Sequence, residues 1–298
     1  MVKVSMEKKL KELLEQVKSI KWNEGFNETL IPGLKVIKTT KTNDKTPSIQ
    51  RPSICLVLQG VKKVIVGDQV LSYAPGEFIV ASIEVPVTGL VTDASAQKPY
   101  LCLMLEVDPS IVFDVLQELP TSKVSNFKER SGVYVGSANS EIYDAFFRLV
   151  KAMDVTLELK FMVPMIVREI IFRLLEGDKG IILRQMGMAG SHMQKITMAI
   201  ELIKQEYNRH LSIEQLAHEV GMSPSSFHKN FKDITRISPL QYQKLLRLQE
   251  ARRLLLANRG DAASVSFEVG YESPSQFSRE YSKLFGKPPK RDMERLKA

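Results

Sequence analysis

Two sets of small polar and basic residues, fifty positions apart, are the side chains of this sequence best suited to recognition chemistry. The first is Ser225, Ser226, His228, Lys229 and Lys232; the second is Ser275, Gln276, Ser278, Arg279 and Lys283. Their chemistry is hydrogen bonding to a polyanion with readable edges: Arg pairs bidentately with guanine and Gln with adenine, Lys reaches a guanine edge or a phosphate, and Ser reaches either. For His228 a plain surface position is the alternative reading. Arg279 ranks first as a base contact.

Each set is interleaved with apolar residues that must point the other way. Phe227, Phe231 and Ile234 recur at +4 and +3, as do Phe277, Tyr281 and Leu284, so each set lies on one face of a helix whose opposite face is core. The lead-in is repeated as well: LAHEVGMSPSSF over 216–227 and VSFEVGYESPSQF over 265–277. Gly221 pairs with Gly270, Ser223-Pro224 with Ser273-Pro274, and Phe227 with Phe277. Glycine supplies the left-handed turn, serine caps the following helix, and proline takes its first position. Ser212 is expected to cap the helix before Gly221. This is the pattern of two helix-turn-helix units in one chain. Between them, residues 239–258 contain no glycine or internal proline and predict a helix of about 30 Å. Such a rod would hold two recognition helices about one DNA turn (~34 Å) apart, in successive major grooves. Leu245, Leu248 and Leu255 are its expected core residues. Arg247, Arg252 and Arg253 are left between phosphate contact and structural ion pairing.

Charge supports this division. The 298-residue chain carries a formal charge of +8, and residues 192–298 hold 18 Lys+Arg against 12 Asp+Glu. Most of the basic excess therefore accompanies the repeat, as phosphate binding requires. A composition of 44 % hydrophobic and 26 % charged residues is that of a globular protein. Two cysteines, Cys55 and Cys102, do not make a disulfide framework. The N-terminus is charged throughout, with no secretory signal, and no apolar run approaches the roughly 20 residues that span a bilayer. A reduced, cytoplasmic protein without membrane attachment is the expectation. All four histidines lie at or beyond His192, so the first 191 residues supply neither a His-rich metal site nor a His-based catalytic pair. No Gly-rich phosphate loop is present. Enzymatic activity, a metal and a cofactor are not expected.

The front half reads differently. Residues 1–29 are dominated by an amphipathic helix carrying Leu10, Leu13, Leu14, Val17 and Ile20, and residues 39–50 read as a polar loop. From about 52 to 107, short β-branched runs alternate with turn signals, which predicts an antiparallel barrel or sandwich with a hairpin at Gly67-Asp68. Helical runs follow at 111–119, 141–153 and 161–177; residues 177–191, with four glycines, read as a linker. The expected domains are thus 30–176 for sensing and dimerisation and 192–298 for DNA. Arg51, Tyr73, Tyr100 and Cys102 are the candidate ligand-binding residues at strand starts and ends. The alternatives are structural roles for each, or thiol sensing through Cys55 and Cys102. The helices at 111–119 and 141–176 exceed the cover one small barrel needs, and a dimer interface is expected there.

The stretches ISPLQYQKLLRLQEARRLL and FEVGYESPSQFSREYSKLFGKPP resemble the AraC/XylS family of transcriptional regulators over about residues 193–293. The resemblance implies a two-unit DNA-binding domain whose base-reading positions fall on the serine, His, Lys, Gln and Arg residues of the two sets. Arg236, in ITRISP, stands where the family usually has glycine. The runs LIPGLKVIKTTKT, RPSICLVLQGVKKVIVGDQVLSYAPGEFIVASIEVPVTG and PYLCLMLEVDP resemble the N-terminal sensor module of one subgroup, with Arg51 replacing an acidic residue. The implied fold class is α+β: an N-terminal cupin-like β-barrel with accessory helices, then an all-α domain of two helix-turn-helix units on a long linker helix. The implied function is an effector-responsive activator of transcription. Its partners would be double-stranded promoter DNA, a small-molecule effector, RNA polymerase and a second copy of itself. A ligand- or partner-binding regulator with weak DNA engagement is the alternative, because the first recognition helix offers serines where stronger readers carry Arg, Gln or Trp.

Overall fold

Apolar runs that are continuous rather than alternating mark the strands at the centre of the fold. In the computed structural model, which describes residues 2–43, 45–119 and 131–297, the chain begins with α1 (Val2–Lys18). Strands β1 (Gly25–Glu28), β2 (Leu34–Thr39), β3 (Thr46–Gln50), β4 (Ser53–Gln59), β5 (Val61–Val66), β6 (Gln69–Tyr73), β7 (Glu77–Ala81), β8 (Val85–Asp93) and β9 (Tyr100–Glu106) follow. Then come α2 (Pro109–Glu118), β10 (Val133–Ser137), α3 (Ser140–Lys151), α4 (Thr156–Glu176) and α5 (Gly180–Gly187). The remaining helices are α6 (His192–Gln205), α7 (Ile213–Glu219), α8 (Pro224–Thr235), α9 (Pro239–Leu256), α10 (Ala262–Glu268), α11 (Pro274–Phe285) and α12 (Pro289–Lys297).

The strands form two antiparallel sheets, ordered β1-β2-β9-β4-β7-β10 and β3-β8-β5-β6. The sheets face each other across an interior that includes Cys55, Val57, Val64, Val66, Tyr73, Val87 and Cys102. The outer face of the larger sheet, with Ile54, Leu56, Leu101, Leu103 and Leu105, lies under α1 to α5. That double cover is why β4 and β9 are buried on both faces and read as unbroken apolar runs. By contrast β8 alternates buried and half-buried residues, as a strand covered on one side must. The expected hairpin is present: Val66 pairs with Gln69 around Gly67-Asp68, with Gly67 at φ +60°.

Three expectations from the sequence need correction. The polar loop at 39–50 contains β3, which pairs with β8 from Thr46↔Gly89 to Gln50↔Val85. It is an edge strand with exposed polar residues, so it lacks an apolar signature and tolerates Pro47. Residues 1–29 are not only a helix, since β1 extends the large sheet against β2. The linker at 177–191 contains α5, whose Ile182, Leu183 and Met186 are buried in the same core as α2 and α4. Its glycine content misled because Gly187 serves packing: a Cβ there would lie 2.8 Å from Leu116 and 3.0 Å from the Phe113 backbone of α2.

In the C-terminal half, α9 runs 18 residues, about 27 Å. Leu248 and Leu255 are core as expected, but Leu245 is half-buried and Leu254 is buried instead. Two cores serve the two units. The core of the first, around Phe227, Phe231, Ile234 and Tyr242, is continuous with the barrel interior. The second, around Leu254, Val265, Phe277, Tyr281 and Phe285, stands alone.

Candidate functional site

The two helix-turn-helix units are built by the same local chemistry. Ser212 caps α7, accepting from the Gln215 amide at 3.2 Å. Gly221 turns the chain at φ +63°. Ser223 then accepts from the Ser226 amide and Pro224 opens α8. In the second unit Asp261 caps α10, Gly270 turns at φ +91°, Ser273 caps α11 and Pro274 opens it. A Cβ on Gly270 would strike the backbone of Asn208, so this turn needs glycine for space as well as for its torsion.

Inward packing fixes what points outward. Phe227, Phe231 and Tyr242 stack edge to face with centroids 5.7 Å apart. Tyr271, Phe277, Tyr281 and Phe285 form the equivalent ladder at 4.5–5.5 Å. Opposite these ladders, Ser225, His228, Lys229 and Lys232 are exposed on α8, as are Ser275, Gln276, Arg279 and Lys283 on α11. Ser226 and Ser278 are half-buried. Ser226 is also engaged within its helix, receiving the Asn230 amide on its carbonyl at 2.8 Å and on its hydroxyl at 3.2 Å. Lys283 sits at the end of its helix where α11 approaches β3, lining a cleft with Lys45 and Lys287.

Residues invisible to periodicity hold this surface in place. Glu280 accepts hydrogen bonds from Lys244 (2.9 Å), Tyr271 (2.8 Å) and Gln276 (3.3 Å). Burial opposes its ionisation, but these donors outweigh it and keep the carboxyl below the usual range. The exposed Gln276 side chain is thereby held towards Glu280. Arg247 spends its guanidinium on three carbonyls: Nε on Tyr207 (2.7 Å), Nη1 on Gly270 (2.6 Å) and Nη2 on Arg209 (2.8 Å). Arg252 grips Asp292 with two hydrogen bonds of 2.8 and 3.1 Å and lies over the Phe285 ring. Arg253 pairs with Glu250. All three arginines thus take structural partners. Their partners lie in other elements or one helical turn away, so spacing along the helix did not choose between phosphate and protein.

The candidate ligand residues separate. Tyr73, Tyr100 and Cys102 meet inside the barrel, each at most 1 % exposed. Cys55 joins them, because Val57 lies opposite Cys102 and Cys55 is its next neighbour on that face of β4. Burial pushes the Tyr73 and Tyr100 hydroxyls and the Cys102 thiol well above their ordinary pKa values. The Tyr100 hydroxyl has no hydrogen-bond partner of good geometry. Free space beside Cys55 and Tyr73 amounts to about 10 Å³, at most one water. Arg51 is elsewhere: its side chain is 71 % exposed and lies 3.9 Å from Glu84. Glu84 in turn pairs with Lys204 of α6 at 3.1 Å, and its carbonyl accepts from Tyr242. Arg51 therefore belongs to the seam between barrel and helices.

That seam has further contacts. The Gly132 amide donates to the Ile234 carbonyl at 3.0 Å, and Gln249 donates to the Pro47 carbonyl at 3.1 Å. Arg236 adopts the left-handed conformation, φ 65°, where it ends α8. It lies against the hairpin turn so closely that a Cβ on Gly67 would be 2.6 Å from the Arg236 Cβ. Among the described residues no helix is long and apolar enough to cross a membrane.

Comparison with known proteins agrees with this geometry. Residues 30–182 match the model of the AraC-type transcriptional regulator N-terminus, and residues 216–295 match a helix-turn-helix domain. The lactose operon transcription activator of Staphylococcus xylosus is 30 % identical over 92 residues, covering 31 % of this chain and 33 % of that protein. The transcriptional regulator ArgR of Pseudomonas aeruginosa is 27 % identical over 123 residues, 41 % of this chain and 37 % of that protein. The chain thus spans about a third of the length of these curated relatives. Fold similarity reaches further. The fatty-acid-bound crystal structure of ToxT from Vibrio cholerae superposes with a TM-score of 0.57 at 11 % identity, covering 92 % of this chain and 97 % of that one. A second ToxT crystal form gives 0.59 at 12 % identity, covering 87 % and 97 %.

Proposed function

This chain belongs to the AraC family of transcriptional regulators, and from that premise we propose that it is a sequence-specific, effector-responsive transcription factor acting as an activator. Its two recognition helices, α8 and α11, read successive major grooves of promoter DNA. The observation that carries this is the pairing of capped helices with matching polar faces, joined by α9 with its length of about 27 Å. Base contacts fall to Ser225, His228 and Lys229 on α8 and to Ser275, Gln276 and Arg279 on α11, while Lys232 and Lys283 favour phosphate. Ser226 and Ser278, being half-buried, contribute less.

The small-molecule effector binds in the front domain. Fatty-acid binding by ToxT is a property of that protein, whose fold this chain shares; in this chain the buried Tyr73, Tyr100 and Cys102 support the barrel interior as the place of binding. Entry of a ligand beside Cys55 and Tyr73 requires expansion, since the free volume at that point is about 10 Å³. The continuity of that interior with the core of the first unit gives such expansion a route to α8. A second copy binds through α4, where Leu157, Phe161 and Met165 are 70, 59 and 64 % exposed at four-residue spacing. RNA polymerase is the partner an activator needs, and the cytoplasm is its compartment.

Fluorescence anisotropy with the DNA upstream of the chain's own gene, against unrelated DNA of equal length at two salt concentrations, tests the function. A preference of about a hundredfold surviving the higher salt is expected. Equal binding to both DNAs, lost together on adding salt, would overturn the reading in favour of a regulator that barely engages DNA.

A further inference from the structure

A second cavity lies outside the barrel, on the opposite face of the large sheet. It is a cleft of about 440 Å³ between the edge strand β10 and the helices α3 and α4. Phe78 and Tyr134 form its floor, in edge-to-face contact at 6.4 Å. Gly136, opposite Phe78 in the strand register, lets that ring lie flat over β10: a Cβ there would be 2.6 Å from the Phe78 ring. Leu174 and Ile142 supply apolar walls.

Polar groups on this floor lack partners. Tyr134 is 4 % exposed, and its hydroxyl makes no hydrogen bond among the described residues. The Nε of Arg173 is buried without a partner, and the same guanidinium reaches Glu169 only at 3.7 Å. Lys179 stands at the rim, donating to the Val135 carbonyl at 3.2 Å. Leaving the buried Nε of Arg173 unpaired is unfavourable, so an acceptor beside Arg173, within the cleft that Tyr134 also lines, is what the site lacks. Among the described residues Arg173, Lys179 and Asp178 line the cleft, and Glu169 stands 3.7 Å from the Arg173 guanidinium, so the balance of charge admits one carboxylate and disfavours a dianion.

We propose that this cleft is a binding site for a small monocarboxylate with an apolar arm, its carboxylate on Arg173 and Tyr134 and its arm against Phe78, Ile142 and Leu174. The site is distinct from the barrel interior and has the volume of small-molecule sites. It joins β10 to the C-terminal end of α4, the helix that also carries the exposed Leu157, Phe161 and Met165. Occupancy therefore braces the helix proposed for self-association. The inference does not depend on DNA recognition, and its test is made without DNA.

Benzoate and hexanoate are titrated calorimetrically into the full chain, with benzamide as the neutral control. At least one acid binds and benzamide does not. Arg173→Gln weakens binding about tenfold or more and Tyr134→Phe several-fold, and Arg173→Lys retains part of it. No binding of either acid at about 10 mM overturns the proposal. So does equal binding of benzamide, or acid binding that survives Arg173→Gln and Tyr134→Phe. Thermal melting adds an independent reading: Tyr134→Phe melts at or above the unmodified chain, because the hydroxyl it removes has no partner. A melting point lowered by several degrees means that the hydroxyl is already satisfied, and the cleft is then not built to receive an acceptor.

Discussion

Replacing Arg247 by alanine tests how the two DNA-reading units are held in register. The guanidinium bonds the carbonyls of Tyr207 and Arg209, which follow α6, and of Gly270, the turn glycine of the second unit, all within 2.8 Å. One side chain of α9 thus ties the segment leading into the first unit to the turn of the second. Hydrogen bonds from a charged donor contribute about 1.5–3 kcal/mol each when shielded, and less where water can replace them. Arg247 is half-buried and one of its three bonds lies at the surface. Discounting for that, Arg247→Ala costs about 2–4 kcal/mol of stability. Arg247→Lys recovers only part of this, because an ammonium cannot span three diverging carbonyls. Denaturant unfolding with an unchanged slope gives the number, and anisotropy gives the consequence: operator affinity falls while the preference among operator variants is kept. Arg279→Ala behaves in the opposite way. It leaves stability within about 0.5 kcal/mol, costs about 1–3 kcal/mol of operator binding and relaxes preference at one base pair. If Arg247→Ala unfolds like the parent chain, or if it alters base preference as Arg279→Ala does, the assignment of a structural clamp and a base reader is wrong.

Two further substitutions address the seam and the second core. Gly67→Ala places a methyl group 2.6 Å from the Arg236 Cβ at a φ of +60°. Left-handed strain and overlap together cost about 2–4 kcal/mol, and proteolysis across the seam accelerates; a melting point equal to the parent's would mean that the hairpin does not bear on α8. Asp292 is fully buried and accepts from Arg252, Tyr281 and Arg295. Burial opposes its charge, yet these partners prevail and its pKa is lowered. A carboxyl depressed on folding contributes stability above its unfolded value of about 3.9, and that contribution is lost as pH falls through the lower folded value. Asp292→Asn therefore costs about 3 kcal/mol or more at neutral pH and flattens the loss of stability below about pH 4; an acid limb identical to the parent's would show that Asp292 is not its source.

What could be read in the sequence was local. Ser223-Pro224 and Ser273-Pro274 announce helix starts because a cap and a first-turn proline act within four residues. The outward faces of α8 and α11 followed from the Phe and Tyr spacing, and the barrel strands from their β-branched runs. Signals of long range were silent. β3 carries no apolar alternation because its edge is exposed, and α5 looked like a linker because Gly187 makes room for α2. Arg51 sits at a strand start as expected, yet its neighbour is Glu84, thirty-three residues on, and not the barrel interior. Spacing does not reveal Arg247 and Glu280 as a scaffold for the reading face, since Tyr207, Arg209 and Gly270 are distant in sequence from Arg247, and Lys244 from Glu280. The cleft under Tyr134 joins residues from β7, β10, α3 and α4, which no single motif contains.

The division of cores bears on how an effector signal would reach DNA. The first unit shares its apolar core with the barrel, so Phe231 and Ile234 belong to the same packed cluster as Tyr73 and Cys102. The second unit keeps a separate core, and it is coupled to the first through α9 and the Arg247 clamp. Close-packed interiors shift between discrete arrangements rather than deforming smoothly. Expansion of the barrel beside Cys55 and Tyr73, where the free volume is about 10 Å³, would therefore displace α8 together with the seam residues Glu84, Gly132 and Arg236, while α11 follows only as far as α9 transmits. The quantity such a change alters is the relative placement of two recognition helices, not the shape of either. For two helices that must enter successive grooves at once, that placement decides whether the second contact adds to the first or is lost.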